Sequence, residues 1–146
     1  TVHANSAEET VNRLTNPPID IPKSMLPAIS MIIVQFRNRR SGVRKTFQIA
    51  EILPNAEPNV LMQLDLKTGK LNKVSQSKEL MKTLELFTGL TKSEIDADLK
   101  EKQRVLKYLV DLKVDTVDNV GKIMAEYYTN KDSLMLAVAK NKPLGD

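Results

Sequence analysis

The feature that most constrains this chain is the run ISMIIVQF at residues 29–36. It is short and apolar at nearly every position. Pro27 closes it in front, and a basic segment from Arg37 to Arg40 closes it behind. Such a run predicts a strand buried on both faces, of the kind found inside layered α/β domains. Pro27 and the shortness of the run weigh against a buried helix segment. The sequence before it reads as α/β core; the sequence after it turns antiparallel and then helical.

Composition sets limits on that core. With 146 residues, 41% of them hydrophobic and 27% charged, the chain has the size and make-up of one ordinary globular domain. The net charge of +4 permits contact with phosphate or acidic lipid without arguing for it. No cysteine is present, which excludes disulfides and thiolate metal sites and fits a reducing compartment. No apolar run approaches bilayer length and no signal peptide is visible, so membrane association is expected to come through a partner. The chain opens on Thr1, directly in structured-looking sequence, and reads as a piece of a larger protein.

Two halves are expected, 1–75 and 76–146. Residues 1–4 look like the tail of a strand. Ser6-Ala7-Glu8-Glu9 is a capping box, and Ala7, Val11 and Leu14 share one helical face. Pro17 and Pro18 end that helix, residues 19–22 are extended, and a short helical turn at 24–28 precedes the central run. Ser41-Gly42 is a turn, 45–53 a second strand, and Val60, Met62, Leu64 and Leu66 alternate with more polar neighbours in a hairpin. Lys67-Thr68-Gly69 turns it, with Gly69 free to take positive φ, and 71–74 return.

From Ser77 the period is helical. Leu80, Leu84 and Phe87 share a face, and Gly89 is a natural C-terminal stop. A second capping box, Thr91-Lys92-Ser93-Glu94, opens a long helix expected to turn Ile95, Leu99, Leu106 and Leu109 inward. Asp96–Lys100 and Asp98–Lys102 are acid-first i,i+4 pairs on its solvated face, each worth about 0.2–0.5 kcal/mol. Asp115 or Thr116 caps a third helix with Val117, Val120, Met124 and Tyr127 inward. A turn at 129–132 precedes a last short helix, 133–140, and the tail from Asn141 is expected to fray.

Few residues are equipped for chemistry. His3 is the single histidine, so no Ser/His/Asp set and no nitrogen-rich metal site can be assembled. A lone histidine near a chain end is ordinarily a surface residue. Its place, where a strand gives way to a helix, is nevertheless where α/β sheets put ligand-contacting groups, and the N–H groups of the following helix would favour an anion. Arg37, Arg39, Arg40, Arg44 and Lys45 form a cluster free of acids. It reads either as a solvated hairpin turn or as a phosphate, lipid or subunit contact, since arginine binds oxyanions in a bidentate fashion. Glu51, Glu57 and Asp65 show no paired-carboxylate spacing. The five glycines are isolated, so no phosphate-binding glycine loop exists.

The opening TVHANSAEETVNRLTNPPIDIP resembles the histidine-box region of the type II/type IV secretion and pilus-assembly ATPases, closest to their archaeal branch. The likeness continues through MLPAISMIIVQFRNRRSGVRKTFQIAEI, the hairpin NVLMQLDLKTGKLNKV and the helical ending KEKQRVLKYLVDLKVDTVDNVGKIMAEYYTNKD, and so covers nearly the whole chain. The resemblance implies an α/β to α+β fold. It would be the C-terminal part of a RecA-like P-loop NTPase core, with parallel strands and an antiparallel hairpin, followed by a small helical bundle. It implies a homo-hexameric, cytoplasmic motor docked under a membrane platform protein, with ATP and Mg²⁺ as cofactors and no nucleic acid.

By the same resemblance His3 is the histidine-box residue that senses the γ-phosphate region. Arg13 supports that box or a subunit contact, and Arg37, Arg40 and Arg44 face phosphate or neighbouring subunits. The family's P-loop, acidic box and Walker B carboxylate lie upstream of the histidine box and have no counterpart in this sequence. Phosphoryl transfer needs that cradle and its metal, so the 146-residue chain alone is expected to be inactive and to bind ATP weakly. Two other functions compete: a non-catalytic module binding a partner through its helices, and nucleic-acid binding through the cluster at 37–45. The second of these is disfavoured by the lack of nearby aromatic stacking groups.

Overall fold

The structure, a computed structural model, describes residues 1–143 and divides into two compact units, the first ending at Gly89 and the second beginning at Leu90. In the first unit, α1 (Ala7–Thr15) starts where the Ser6 Oγ accepts the Glu9 N–H at 3.0 Å. The other half of the expected capping box is built differently. The Glu9 carboxylate reaches past the cap to the backbone N–H of Asn5 at 2.8 Å and its side chain at 2.9 Å. Ala7 and Val11 are buried and Leu14 half-buried, as their spacing predicts. The helix stops at an extended Asn16, ahead of a cis Pro17–Pro18 peptide.

A 3-10 helix (Lys23–Ala28) buries Leu26 and leads into the sheet. Its strands are β1 (Ile32–Arg37), β2 (Arg44–Ile52), β3 (Pro58–Leu64) and β4 (Leu71–Lys73), in that spatial order. Every pairing is antiparallel, which corrects the expectation of parallel strands within this chain. The connections explain it: each loop is far shorter than the dozen or more residues a parallel crossover needs. Residues 1–4, read as a strand tail, lie in no strand.

The central run is also corrected. The 3-10 helix ends at Ala28 as expected, but residues 29–31 lie in no strand and β1 begins only at Ile32. It pairs with β2 alone and alternates: Ile32 and Val34 are buried, whereas Ile33 is 53% exposed and Gln35 faces outward. β1 is therefore an edge strand with one covered face, not one buried on both. Its covered face joins Ala50 and Ile52 of β2 with Ala7, Val11 and Leu26 in one core.

Glu51 lies between those two core residues and points to the other face of the sheet. It is fully buried. Its carboxylate accepts the backbone N–H groups of Lys78, Glu79 and Leu80 at 2.8, 3.0 and 3.0 Å. It also accepts the Asn59 amide at 2.7 Å and the Ser77 hydroxyl at 2.9 Å. Those N–H groups open α2 (Glu79–Thr88), so a strand carboxylate caps the helix and meets its positive end. Burial pushes the Glu51 pKa up. The Leu80 and Lys78 N–H groups, with Asn59 and Ser77, outweigh it and hold the carboxyl below its ordinary 4.5.

This clasp keeps α2 in the sheet unit, although the sequence reading grouped it with the later helices. The α2 face of Leu80, Leu84 and Phe87 is not buried: Phe87 is 82% exposed. Gly89 ends the helix at φ +69°, as its position predicts.

The second unit packs α3 (Lys92–Asp111), α4 (Val117–Thr129) and α5 (Lys131–Lys140). The Thr91/Glu94 capping box that opens α3 is present in full. The expected inward face of α3 needs correction: Ile95 and Leu109 are buried, but Leu99 and Leu106 are exposed. Val105 and Tyr108 take the inward places, with Ile123, Tyr127 and Leu134 across from them. Tyr108 can be buried because its hydroxyl donates to the Lys142 carbonyl at 2.8 Å. Thr116 caps α4; Tyr127 is buried, Val120 and Met124 are half-buried, and Val117 is exposed rather than inward. Asn130 alone separates α4 from α5, which therefore starts at Lys131, two residues ahead of its expected start. The tail expected to fray from Asn141 lies partly outside the described residues.

Candidate functional site

The start of α1 is fixed on the sheet at two points. Ser6 caps it locally, and the Gln48 side chain of β2 accepts the Ala7 N–H at 2.8 Å while donating to Gln63 at 2.8 Å. Residues 1–5 precede this anchor, and His3 is exposed among them. His3 and Arg13 border the same two open clefts. One, of about 600 Å³, also runs along Asn12, Asn16 and Pro17. The other, of about 460 Å³, reaches Ile33, Val34 and Gln35 on β1. The imidazole thus lies at a cleft beside the edge strand of the sheet.

Arg13 is already engaged there. Its Nη2 lies 2.7 Å from the Glu9 carboxylate and its Nε donates to the same oxygen at 2.8 Å. The Asn5 N–H, then Arg13, then the Asn5 amide hold the Glu9 carboxyl below its ordinary 4.5. Glu9 therefore fastens Asn5 and Arg13 to one turn of α1, and the arginine's charge is largely offset.

An anion at the α1 N-terminus, as the sequence suggested, is not supported by this arrangement. The Ala7 N–H is taken by Gln48, the Glu9 N–H by Ser6, and Glu8 and Glu9 add negative charge to the first turn. Among the described residues no group of three or more His, Cys, Asp or Glu side chains could hold a metal ion. These residues do not by themselves fit a nucleoside triphosphate or Mg²⁺.

The remaining sequence candidates lie elsewhere. Arg37 and Arg44 are cross-strand partners at the end of the β1–β2 ladder, and Arg40 sits in the turn between them. All three are exposed, and none borders either cleft at His3. The structure groups His3 with Arg13 and sets the three arginines apart.

Sequence reasoning passed over Glu51 and Gln48, the two strand side chains that place α2 and α1. An acid flanked by Ala50 and Ile52 in an otherwise apolar strand end was the available signal for the first. Among the described residues, no helix is long and apolar enough to cross a membrane.

No family model matches the chain. It is similar to two uncharacterized proteins of Methanocaldococcus jannaschii. One is 32% identical over 145 residues, covering 94% of this chain and 20% of that protein. The other is 30% identical over 130 residues, covering 84% of this chain and 48% of that protein. The chain thus spans about a fifth and about half of the lengths of the curated relatives it matches.

Proposed function

We propose that this chain is the C-terminal portion of a secretion or pilus-assembly motor ATPase, carrying its histidine box and a helical C-terminal unit. In this reading the sheet and α1 are the last part of a RecA-like core. The residues that hold nucleotide and Mg²⁺ belong to preceding sequence, and His3 with Arg13 forms one wall of the completed cleft. The observation that carries the reading is the shared position of His3 and Arg13 at two open clefts against β1, within the TVHANSAEETVNRL motif. A hexameric parent docked under a membrane platform protein in the cytoplasm is part of the same proposal.

The test uses the full-length polypeptide that contains this chain. His3→Ala is expected to lower Mg²⁺-dependent ATP turnover by about 10-fold or more, with the oligomer unchanged by size-exclusion chromatography. Turnover equal to wild type removes His3 from the site and the motor reading with it.

A second reading, a non-catalytic interaction module, is favoured by the exposed apolar residues of α3, Leu99, Leu106 and Val110. It uses none of the residues of the first, so His3→Ala separates the two.

A further inference from the structure

The β1–β2 and β3–β4 hairpins end in turns of the same construction. In the first, the Asn38 side chain accepts the N–H groups of Arg40 and Ser41 at 2.9 and 3.1 Å, and Gly42 N–H returns to the Asn38 carbonyl at 2.8 Å. In the second, Asp65 accepts the N–H groups of Lys67 and Thr68 at 2.7 and 3.3 Å, and Gly69 N–H returns to the Asp65 carbonyl at 2.7 Å. Gly42 and Gly69 take the positive φ that each turn requires, +71° and +67°. Lys45 Nζ donates to the Gly69 carbonyl at 2.9 Å and ties the turns together across a groove of about 360 Å³.

This end of the sheet is strongly one-signed. Residues 37–45 carry five basic side chains and no acid, and residues 65–70 add Lys67 and Lys70 against Asp65, whose carboxylate is spent on its own turn. All seven cations are exposed. Arg37 faces Arg44 directly across the ladder, a like-charge pairing that destabilises a hairpin unless an anion sits between. Between these charges two apolar side chains stand out into solvent, Val43 at 47% and Leu66 at 65% exposure. The one nearby aromatic, Phe36, is half-buried with its ring 6.0 Å from Phe47, so no stacking platform for bases is offered.

We infer that the paired hairpin tips are a docking surface for anionic phospholipid headgroups. The arginines and lysines would contact lipid phosphates, while Val43 and Leu66 enter the boundary beneath them. Rigid turns supply the surface already ordered, and basic side chains beside protruding apolar ones match the charge and depth profile of an anionic leaflet. The inference needs no nucleotide and stands apart from the motor reading.

The test is sedimentation of the 146-residue chain with vesicles of phosphatidylcholine, with and without phosphatidylglycerol. Binding is expected to the anionic vesicles alone, weakening as salt rises and undisturbed by inorganic phosphate at the same phosphate concentration. Arg39→Gln with Arg40→Gln is expected to lower partitioning by roughly 25-fold, about fivefold per charge. Leu66→Ser is expected to lower it several-fold with the thermal midpoint unchanged. Three results would overturn the inference: equal binding to both vesicle types, no loss in the arginine variant, or tighter binding to a DNA oligonucleotide than to anionic vesicles at the same salt.

Discussion

Glu51 shows how one residue can decide the placement of an element far along the chain. Its carboxylate is charged because five donors converge on it, three of them the backbone N–H groups of Lys78, which precedes α2, and of the first two α2 residues. Glu51→Ala leaves those donors without an acceptor, and the expected loss is on the order of 3 kcal/mol of unfolding free energy, read from urea melts. The pH dependence follows from the lowered pKa. The contribution is complete above the ordinary value of 4.5 and is lost as pH falls through the lower folded value. Glu51→Gln should therefore flatten the fall in stability on acidification, and an unchanged acid limb would contradict the role. Local signals at this scale were legible: Ser6, Thr91, Thr116 and Gly89 act within four residues of themselves. Glu51 was not, because its donors lie up to 29 residues away and only the fold brings them together.

At the scale of elements, periodicity gave helices and strands but not always the buried face. The sequence of α3 offers two apolar stripes, Leu99–Leu106–Val110 and Ile95–Val105–Leu109. What decides between them is the partner helices. Tyr108, on the buried side, finds a carbonyl for its hydroxyl, and Glu101, two turns earlier on α3, accepts the Tyr127 hydroxyl at 2.8 Å and pairs with Lys131 at 2.6 Å. That polar link joins all three helices of the second unit. Burial, then the Glu101 hydrogen bond and charge, push the Tyr127 phenol up, so it stays a donor. Tyr127→Phe is expected to lower stability by about 1.5–3 kcal/mol, since the lost bond is to a charged acceptor. A thermal midpoint equal to wild type would show the link to be incidental. β1 was misread for a related reason: an apolar run reads as doubly buried, yet an edge strand can carry the same letters when one face is left uncovered, as Ile33 shows.

Across the whole molecule, the antiparallel sheet and the helical unit account for an α+β chain, and the short hairpin loops were the legible reason. His3 and Arg13 border the same clefts beside β1, although no strand precedes α1, and among the described residues no group of three or more His, Cys, Asp or Glu side chains could hold a metal ion. In the proposed reading, catalysis belongs to a longer polypeptide in which this chain closes one side of the cleft. The most direct test compares Mg²⁺-dependent ATP hydrolysis by the purified 146-residue chain with that of the full-length polypeptide that contains it. Turnover by the longer protein and none by the chain is the predicted result; a longer protein without turnover, or hydrolysis by the chain alone, would contradict it.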